Sequence, residues 1–363
     1  MLSLIASDLH LGTAGGGDVA RYEEARERLV AAARDADQLV LLGDVLELRE
    51  RPVARVLDLA KPLFRALGEA TAGRRVVLVP GNHDHQLAEP WLTRVRLDGG
   101  HLPIESVWGV KPADGVAGRL AEWMPRTEVV LAYPGVRLRP DVYVTHGHYL
   151  DLHLSVPRLE SIAASGMALI AGKTRRCASP SDYEAVVAPL YAFLYGLAQG
   201  GTARPLRGGS RVSRKVWRRV TVRDRRRLRA FLLGRVTIPG AVALLNRAGL
   251  GPFGPNISGP ELRRAGLRAI AAVVKALAID ADHVIFGHTH RAGPLAGDRE
   301  GWTLDGGTRL WNSGTWLHEP VLIQDGDRRS PYLPGTVIRL GDEGPPELLN
   351  LLEDLEVPAS AAP

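Results

Sequence analysis

The sequence predicts a layered α/β fold interrupted by a mainly helical insertion. Three observations carry this. Short apolar runs recur along the chain and end in polar residues, two segments of helical periodicity separate the first three runs, and the alternation fails between about residues 150 and 279.

The runs that read as buried strands are Leu2 to Ala6, Gln38 to Leu42, Arg75 to Val79, Asp141 to Thr145 and His283 to Phe286. Apolar residues recur at helical spacing over about Val19 to Asp35 and Val53 to Ala72, which gives a β-α-β-α-β rhythm. Further strands are predicted at Leu310 to Ser313, Val321 to Gln324 and Thr336 to Leu340. Residues 1–150 and 280–345 therefore read as one core, 151–279 as a basic helical insertion or lid, and 346–363 as a C-terminal tail. Pro180, Pro205, Pro239, Pro252 and Pro255 break the insertion into short helices.

With 363 residues, 45% hydrophobic and 24% charged, the chain can bury a full core, and global disorder is excluded. The first apolar run is too short for a signal-peptide core or a membrane span. Cys177 is the single cysteine, so an intrachain disulfide and a thiolate cluster are both excluded, and a reducing, cytoplasmic setting is expected. The net charge of +6 favours anionic partners.

Each buried strand leads into metal-competent residues: Asp8 and His10, then Gly43-Asp44, then Gly81 to Asp84, then His146 to His148, then Gly287 to His290. The carboxyl ends of strands in an open α/β sheet converge on one crevice, so a single site is implied. Asp8 with His10, and His288 with His290, stand two positions apart, which in extended backbone turns both side chains to one side. The donors are then Asp8, His10, Asp44, Asn82, His146, His288 and His290, more than one four-coordinate ion needs. Two-metal hydrolytic sites hold their ions about 3.5–4 Å apart, so one ligand should bridge. Nitrogen and oxygen donors without sulfur suit manganese, with iron or zinc as alternatives. Two carboxylates leave two divalent ions with surplus positive charge, which attracts phosphate and acidifies water.

Asp8-Leu9-His10, Gly43-Asp44 with Glu47, Gly81-Asn82-His83-Asp84, His146-Gly147 and Gly287-His288-Thr289-His290 resemble the ordered motifs of the calcineurin-like metallophosphoesterases. The resemblance covers roughly residues 1 to 150 and 280 to 325. It implies an α/β/β/α sandwich in which Asp8, His10, Asp44 and His290 bind one ion and Asp44, Asn82, His146 and His288 the other. It further implies in-line attack by a water or hydroxide shared by the ions. His83 would stabilise the transferring phosphoryl group or protonate the leaving oxygen, oriented by Asp84.

Other residues read more plainly. His148 and His153 are expected beside the ligands or facing substrate, Glu47 as a structural hydrogen-bonding group, and Cys177, His85, His101, His283 and His318 as structural. Between residues 201 and 230, twelve basic side chains stand against Asp224 alone, a net +11. With the apolar stretch up to residue 245, this suggests an anionic membrane surface as partner, with nucleic acid as the alternative. Ser7-Asp8-Leu9-His10-Leu11-Gly12 and the helical insertion partly resemble the UDP-2,3-diacylglucosamine pyrophosphatases, although His83 stands where those enzymes carry arginine. That resemblance implies a lipid-linked or nucleotide-linked phosphate or pyrophosphate substrate at the membrane surface. The competing expectations are a metal-dependent DNA nuclease of the same superfamily and a non-catalytic scaffold.

Overall fold

The computed structural model describes residues 1–156, 159–170, 177–200, 238–254, 259–298, 301–320, 322–323 and 330–355. Its contacts divide the chain into two compact units, Met1–His148 with Tyr191–Gly201 and Ile279–Pro363, and Tyr149–Leu190 with Thr202–Ala278.

The first unit contains two sheets. Strands β1 (Ser3–Ala6), β2 (Gln38–Leu42), β3 (Arg75–Val79), β4 (Val107–Gly109) and β5 (Glu128–Ala132) join β11 (Thr336–Leu340) and β12 (Glu347–Asn350) in the order β12-β11-β1-β2-β3-β5-β4. The second sheet has the order β6-β7-β8-β10-β9, from β6 (Gly135–Arg139), β7 (Val142–Thr145), β8 (His283–Phe286), β9 (Ala292–Gly293) and β10 (Arg309–Ser313). β1, β2, β3 and β5 are mutually parallel, as are β7, β8 and β10.

The central strands are apolar on both faces because both faces are covered. Leu4, Leu39, Leu41, Val76, Leu78 and Leu131 pack with helices α1 (Glu23–Arg34), α2 (Val53–Ala70) and α4 (Gly115–Glu122). The alternate residues Ile5, Val40, Leu42, Val77, Val79 and Val130 meet Val142, Val144 and Ile285 of the other sheet. The result is an α/β sandwich in which helices, first sheet and second sheet form successive layers. α3 (Glu89–Leu97) follows the third motif.

Several expectations change. Leu322 and Ile323 form a turn, not part of a strand, and Val321 and Gln324 lie outside the described residues. Glu347–Asn350, within the segment read as tail, is paired to β11 as β12. β4, β5, β6 and β9 were not predicted. Residues 151–279 hold α5 (Leu159–Ile170), α6 (Pro180–Gln199), α7 (Ile238–Arg247) and α8 (Gly259–Ala276), but the end of α6 groups with the first unit. The basic run of residues 201–230 lies outside the described residues.

In the second unit, the Tyr149 ring stacks on Tyr183 at 4.5 Å and its hydroxyl donates to Glu184 Oε1 at 2.7 Å. His153 Nε2 lies 2.6 Å from the Tyr183 hydroxyl, within this same unit. Among the described residues no helix is long and apolar enough to cross a membrane.

Candidate metal centre

The loops beyond the strand ends are laced together by main-chain hydrogen bonds. Asp8 N donates to Gly43 O, His10 N to Asp44 O and Leu11 N to Val45 O, so the loops after β1 and β2 continue side by side past the sheet. Gly287 N donates to His146 O and does the same for β7 and β8. Strand ends from both sheets thereby reach one place.

Asp8, His10, Asp44, His288 and His290 all have positive φ, between 45° and 64°. The paired donors therefore converge through left-handed backbone and not through the extended backbone expected. Non-glycine residues adopt this region at a cost of about 1–3 kcal/mol each, and such residues cluster at functional sites. Gly81 serves the same crowding, because a Cβ there would run into Asp44 Oδ1 and the His146 ring.

All seven predicted donors are brought together. Asp8, His10 and His290 present ligand atoms within 4.8 Å of one another, and so do Asp44, His146 and His288. A third group, His10, Asp44 and His83, overlaps both. His290 Nε2 lies 3.3 Å from Asp8 Oδ1 and 3.1 Å from His10 Nε2, while His146 Nε2 lies 3.2 Å from Asp44 Oδ2. Asn82 joins the second group through its amide, 3.3 Å from His146 Nε2.

Asn82 provides the test of whether a cation fits. In one orientation its amide nitrogen donates to Asp44 Oδ2 at 3.2 Å and His288 Nδ1 at 3.0 Å, while its oxygen accepts from Arg49 at 2.8 Å. The opposite orientation points the oxygen at those acceptors, and a cation among them is what makes that arrangement favourable. Ligation by Asn82 thus releases Arg49 from the amide oxygen. The electrostatics agree. Burial opposes a charged imidazole, yet Asp44 and Asp8 push His146 up to about 9. Against the same burial, Asp8 and Glu319 push His290 up to about 10. A site negative enough to hold protons on buried imidazoles is negative enough to hold cations, which compete with those protons. The donor set fits two divalent ions.

The neighbouring groups correct the reading of the third motif. Asp84 does not orient His83. Its carboxylate accepts from the backbone N–H groups of Gly81 at 2.7 Å, Val45 at 2.8 Å, Asp44 at 3.2 Å and Leu46 at 3.3 Å, tying the β2 and β3 loops together. Burial and the nearby Asp44 charge push the Asp84 carboxyl up to about 6. Glu47 is the partner of His83, with Oε2 2.6 Å from its Nδ1 and 3.2 Å from His10 Nδ1. Burial opposes the charged His83 ring, but Glu47 and Asp44 outweigh it and raise its pKa.

Some contributors were not legible beforehand. Glu319 meets His290 Nδ1 at 3.3 Å with no motif to mark it. Asn312 donates to Gly287 O and Thr289 Oγ1, and Ser313 shares a 2.7 Å hydrogen bond with Ser7. Both sit at the end of β10, where the strand-end rule could have found them. His148 is buried against Tyr133, 3.1 Å from its hydroxyl, and lies behind His146. His85 is buried, with its ring tilted against that of Tyr191 at 5.3 Å.

Residues 1–175 match the family model described as calcineurin-like phosphoesterase. No curated protein matches the chain. The matched segment carries Asp8 through His146, and the fold brings His288 and His290, which lie beyond it, into the same cluster. Residues 1–175 are thus similar to a calcineurin-like phosphoesterase domain, a likeness that indicates a phosphoesterase acting on a phosphate-containing substrate, and the chain's His and Asp groups could bind metal.

Proposed function

We propose that Asp8, His10, Asp44 and His290 hold one divalent ion, that Asp44, Asn82, His146 and His288 hold the second, and that His83 protonates the leaving oxygen. The observation that carries this reading is the place of Asp44, grouped with His146 and His288 on one side while its Oδ2 lies 3.8 Å from His10 Nε2 on the other. Two bound divalent ions supply positive charge that draws in the phosphoryl group and acidifies a water.

The chain's own residues do the rest. Glu47 accepts at His83 Nδ1, which fixes the ring and leaves Nε2 to give its proton to the departing oxygen. Asp84 acts as a positioning residue, since its four backbone contacts hold Asp44 and Gly81 in register. Arg49, once Asn82 ligates, is a cation available to a phosphoryl oxygen.

Manganese is our first choice of metal, and the substrate we favour is a lipid-linked or nucleotide-linked phosphoester or pyrophosphate met at a membrane surface. The net +11 of residues 201–230 supports the surface, where each basic side chain contributes about 1 kcal/mol toward anionic lipid.

The test is a screen with manganese against p-nitrophenyl phosphate, its bis-ester and UDP-sugar pyrophosphates, with Asp44→Ala alongside. We expect turnover by the native chain and at least a 10³-fold loss in the variant, which also loses bound metal. Normal hydrolysis by Asp44→Ala overturns the ligand assignment. Binding to anionic liposomes should disappear when the arginines of residues 218–229 are neutralised. Indifference to lipid, with steeply salt-dependent duplex DNA binding and nicking, favours the nuclease instead.

A further inference from the structure

A cavity of about 170 Å³ opens beside the centre, on the side of His83 and Asn82. We infer that it is the leaving-group pocket and takes a compact hydroxyl-bearing ring, the sugar that a glycosyl phosphate and a nucleoside 5′-phosphate share. This rests on the reading of His83 as proton donor, since the group that receives its proton must lie on its side of the phosphorus.

Size makes the first discrimination. Sites for drug-sized ligands run to about 300–1,000 Å³, so this smaller one matches a single ring. The lining makes the second. Tyr191 and Tyr195 stand four residues apart on one face of α6 and supply aromatic surface. Gln86 and Glu89 supply acceptors for ring donors. Arg49 gives the cavity a cationic end shared with Asn82, suited to the phosphate, while Glu89 brings a carboxylate that suits a donor and repels a second anion.

The aromatic wall is built in place. Tyr191 is buried, its ring 5.3 Å from His85 and 5.8 Å from His148, and both histidines pack on Tyr133. Each stands two or three residues beyond a predicted ligand, Asn82 or His146, so the wall is indexed to the centre. Glu89 is held as well, its Oε1 accepting from Thr93 at 2.6 Å and from Arg96. In the reaction the bond from phosphorus to the ring-bearing oxygen breaks and the water oxygen bonds to phosphorus. His83 gives its proton to the departing oxygen, and the proton shed by the water restores the imidazolium.

The experiment compares ethyl phosphate, glucose 1-phosphate and adenosine 5′-monophosphate with manganese, in the native chain, Gln86→Ala and Tyr195→Ala. The native chain should favour at least one ring-bearing ester over ethyl phosphate by tenfold or more in kcat/KM. Both variants should cut that ratio at least fivefold, chiefly through KM. A matching loss of adenosine or methyl glucoside binding, read by saturation-transfer NMR, identifies the ring. Gln86 is half-buried on a short turn, so its variant answers even if Tyr195→Ala does not fold. Hydrolysis of all three esters with no preference, or a ratio unmoved by Gln86→Ala, overturns the pocket alone. If none of the three esters is cleaved, hydrolysis of bis(p-nitrophenyl) phosphate or of a UDP-sugar overturns the pocket alone, and its absence overturns the metal-centre reading beneath it.

Discussion

Glu47 is buried with its carboxylate between two imidazoles, those of His10 and His83. Burial works against its charge, and His83 and His10 together hold it below the usual carboxylate range. Glu47→Gln keeps the size and removes the charge. General acid–base groups contribute about 10²–10⁴-fold, so we expect kcat to fall about 10²-fold with KM nearly unchanged and both metals retained by elemental analysis. A kcat equal to native would show that His83 acts without Glu47. Asp18 offers a second residue-scale case, away from the ligands. It is buried, and its Oδ2 accepts from Gly12 N at 2.9 Å while Oδ1 lies 3.7 Å from Arg21. Burial outweighs those contacts and raises its carboxyl pKa above the ordinary 3.8. The protonated form is therefore the one the fold prefers. Its stabilising contribution is full below about 3.8 and lost as pH rises through the raised folded value. Asp18→Asn should accordingly have the higher urea midpoint at pH 7.5, the difference closing toward pH 4. A constant offset at both pH values would show that the carboxyl's charge is not what costs stability.

At the scale of elements, α2 shows how a helix is bought close to its neighbours. Val56, Ala60, Leu63, Phe64 and Leu67 form its buried stripe at helical spacing, against the first sheet. Gly68 ends that stripe because a Cβ there would lie 2.7 Å from Met124 Cα and 2.8 Å from Trp123 O, both backbone atoms just past α4. Alanine in place of an interior glycine ordinarily favours a helix by about 1 kcal/mol. Overpacking against backbone costs about 1–3 kcal/mol, and we expect it to win. Gly68→Ala should lower the thermal midpoint by several degrees. A rise would mean that α2 and α4 slide apart without penalty.

For the whole molecule, the seven donors come from both sheets: Asp8, His10, Asp44 and Asn82 follow strands of the first, and His146, His288 and His290 follow strands of the second. Metal bound there would therefore fasten one sheet to the other, at a site the unfolded chain does not offer. A ligand at 100 times its Kd stabilises the folded state by about 2.7 kcal/mol per site. Manganese should raise the thermal midpoint, a chelator should reverse the rise, and Asp44→Ala should respond to neither. An unchanged midpoint with excess manganese would argue against a site spanning the two sheets.

Residue order alone marked the buried strands that lead into the cluster and the seven candidate donors that follow them. A strand covered on both faces must be apolar throughout, and a polar group at its end stands out against that run. β5 is just as buried but leads into Tyr133 and Pro134 instead of donors, and β4, β6 and β12 are partly exposed, so their composition marks them weakly. Only the tertiary structure decided that the paired donors converge through left-handed backbone, that Glu47 and not Asp84 holds His83, and that the end of α6 supplies the wall of a cavity. Burial is a property of composition and can be read along the chain. Which carboxylate reaches which imidazole depends on how loops distant in sequence are laced together, and no local pattern records that.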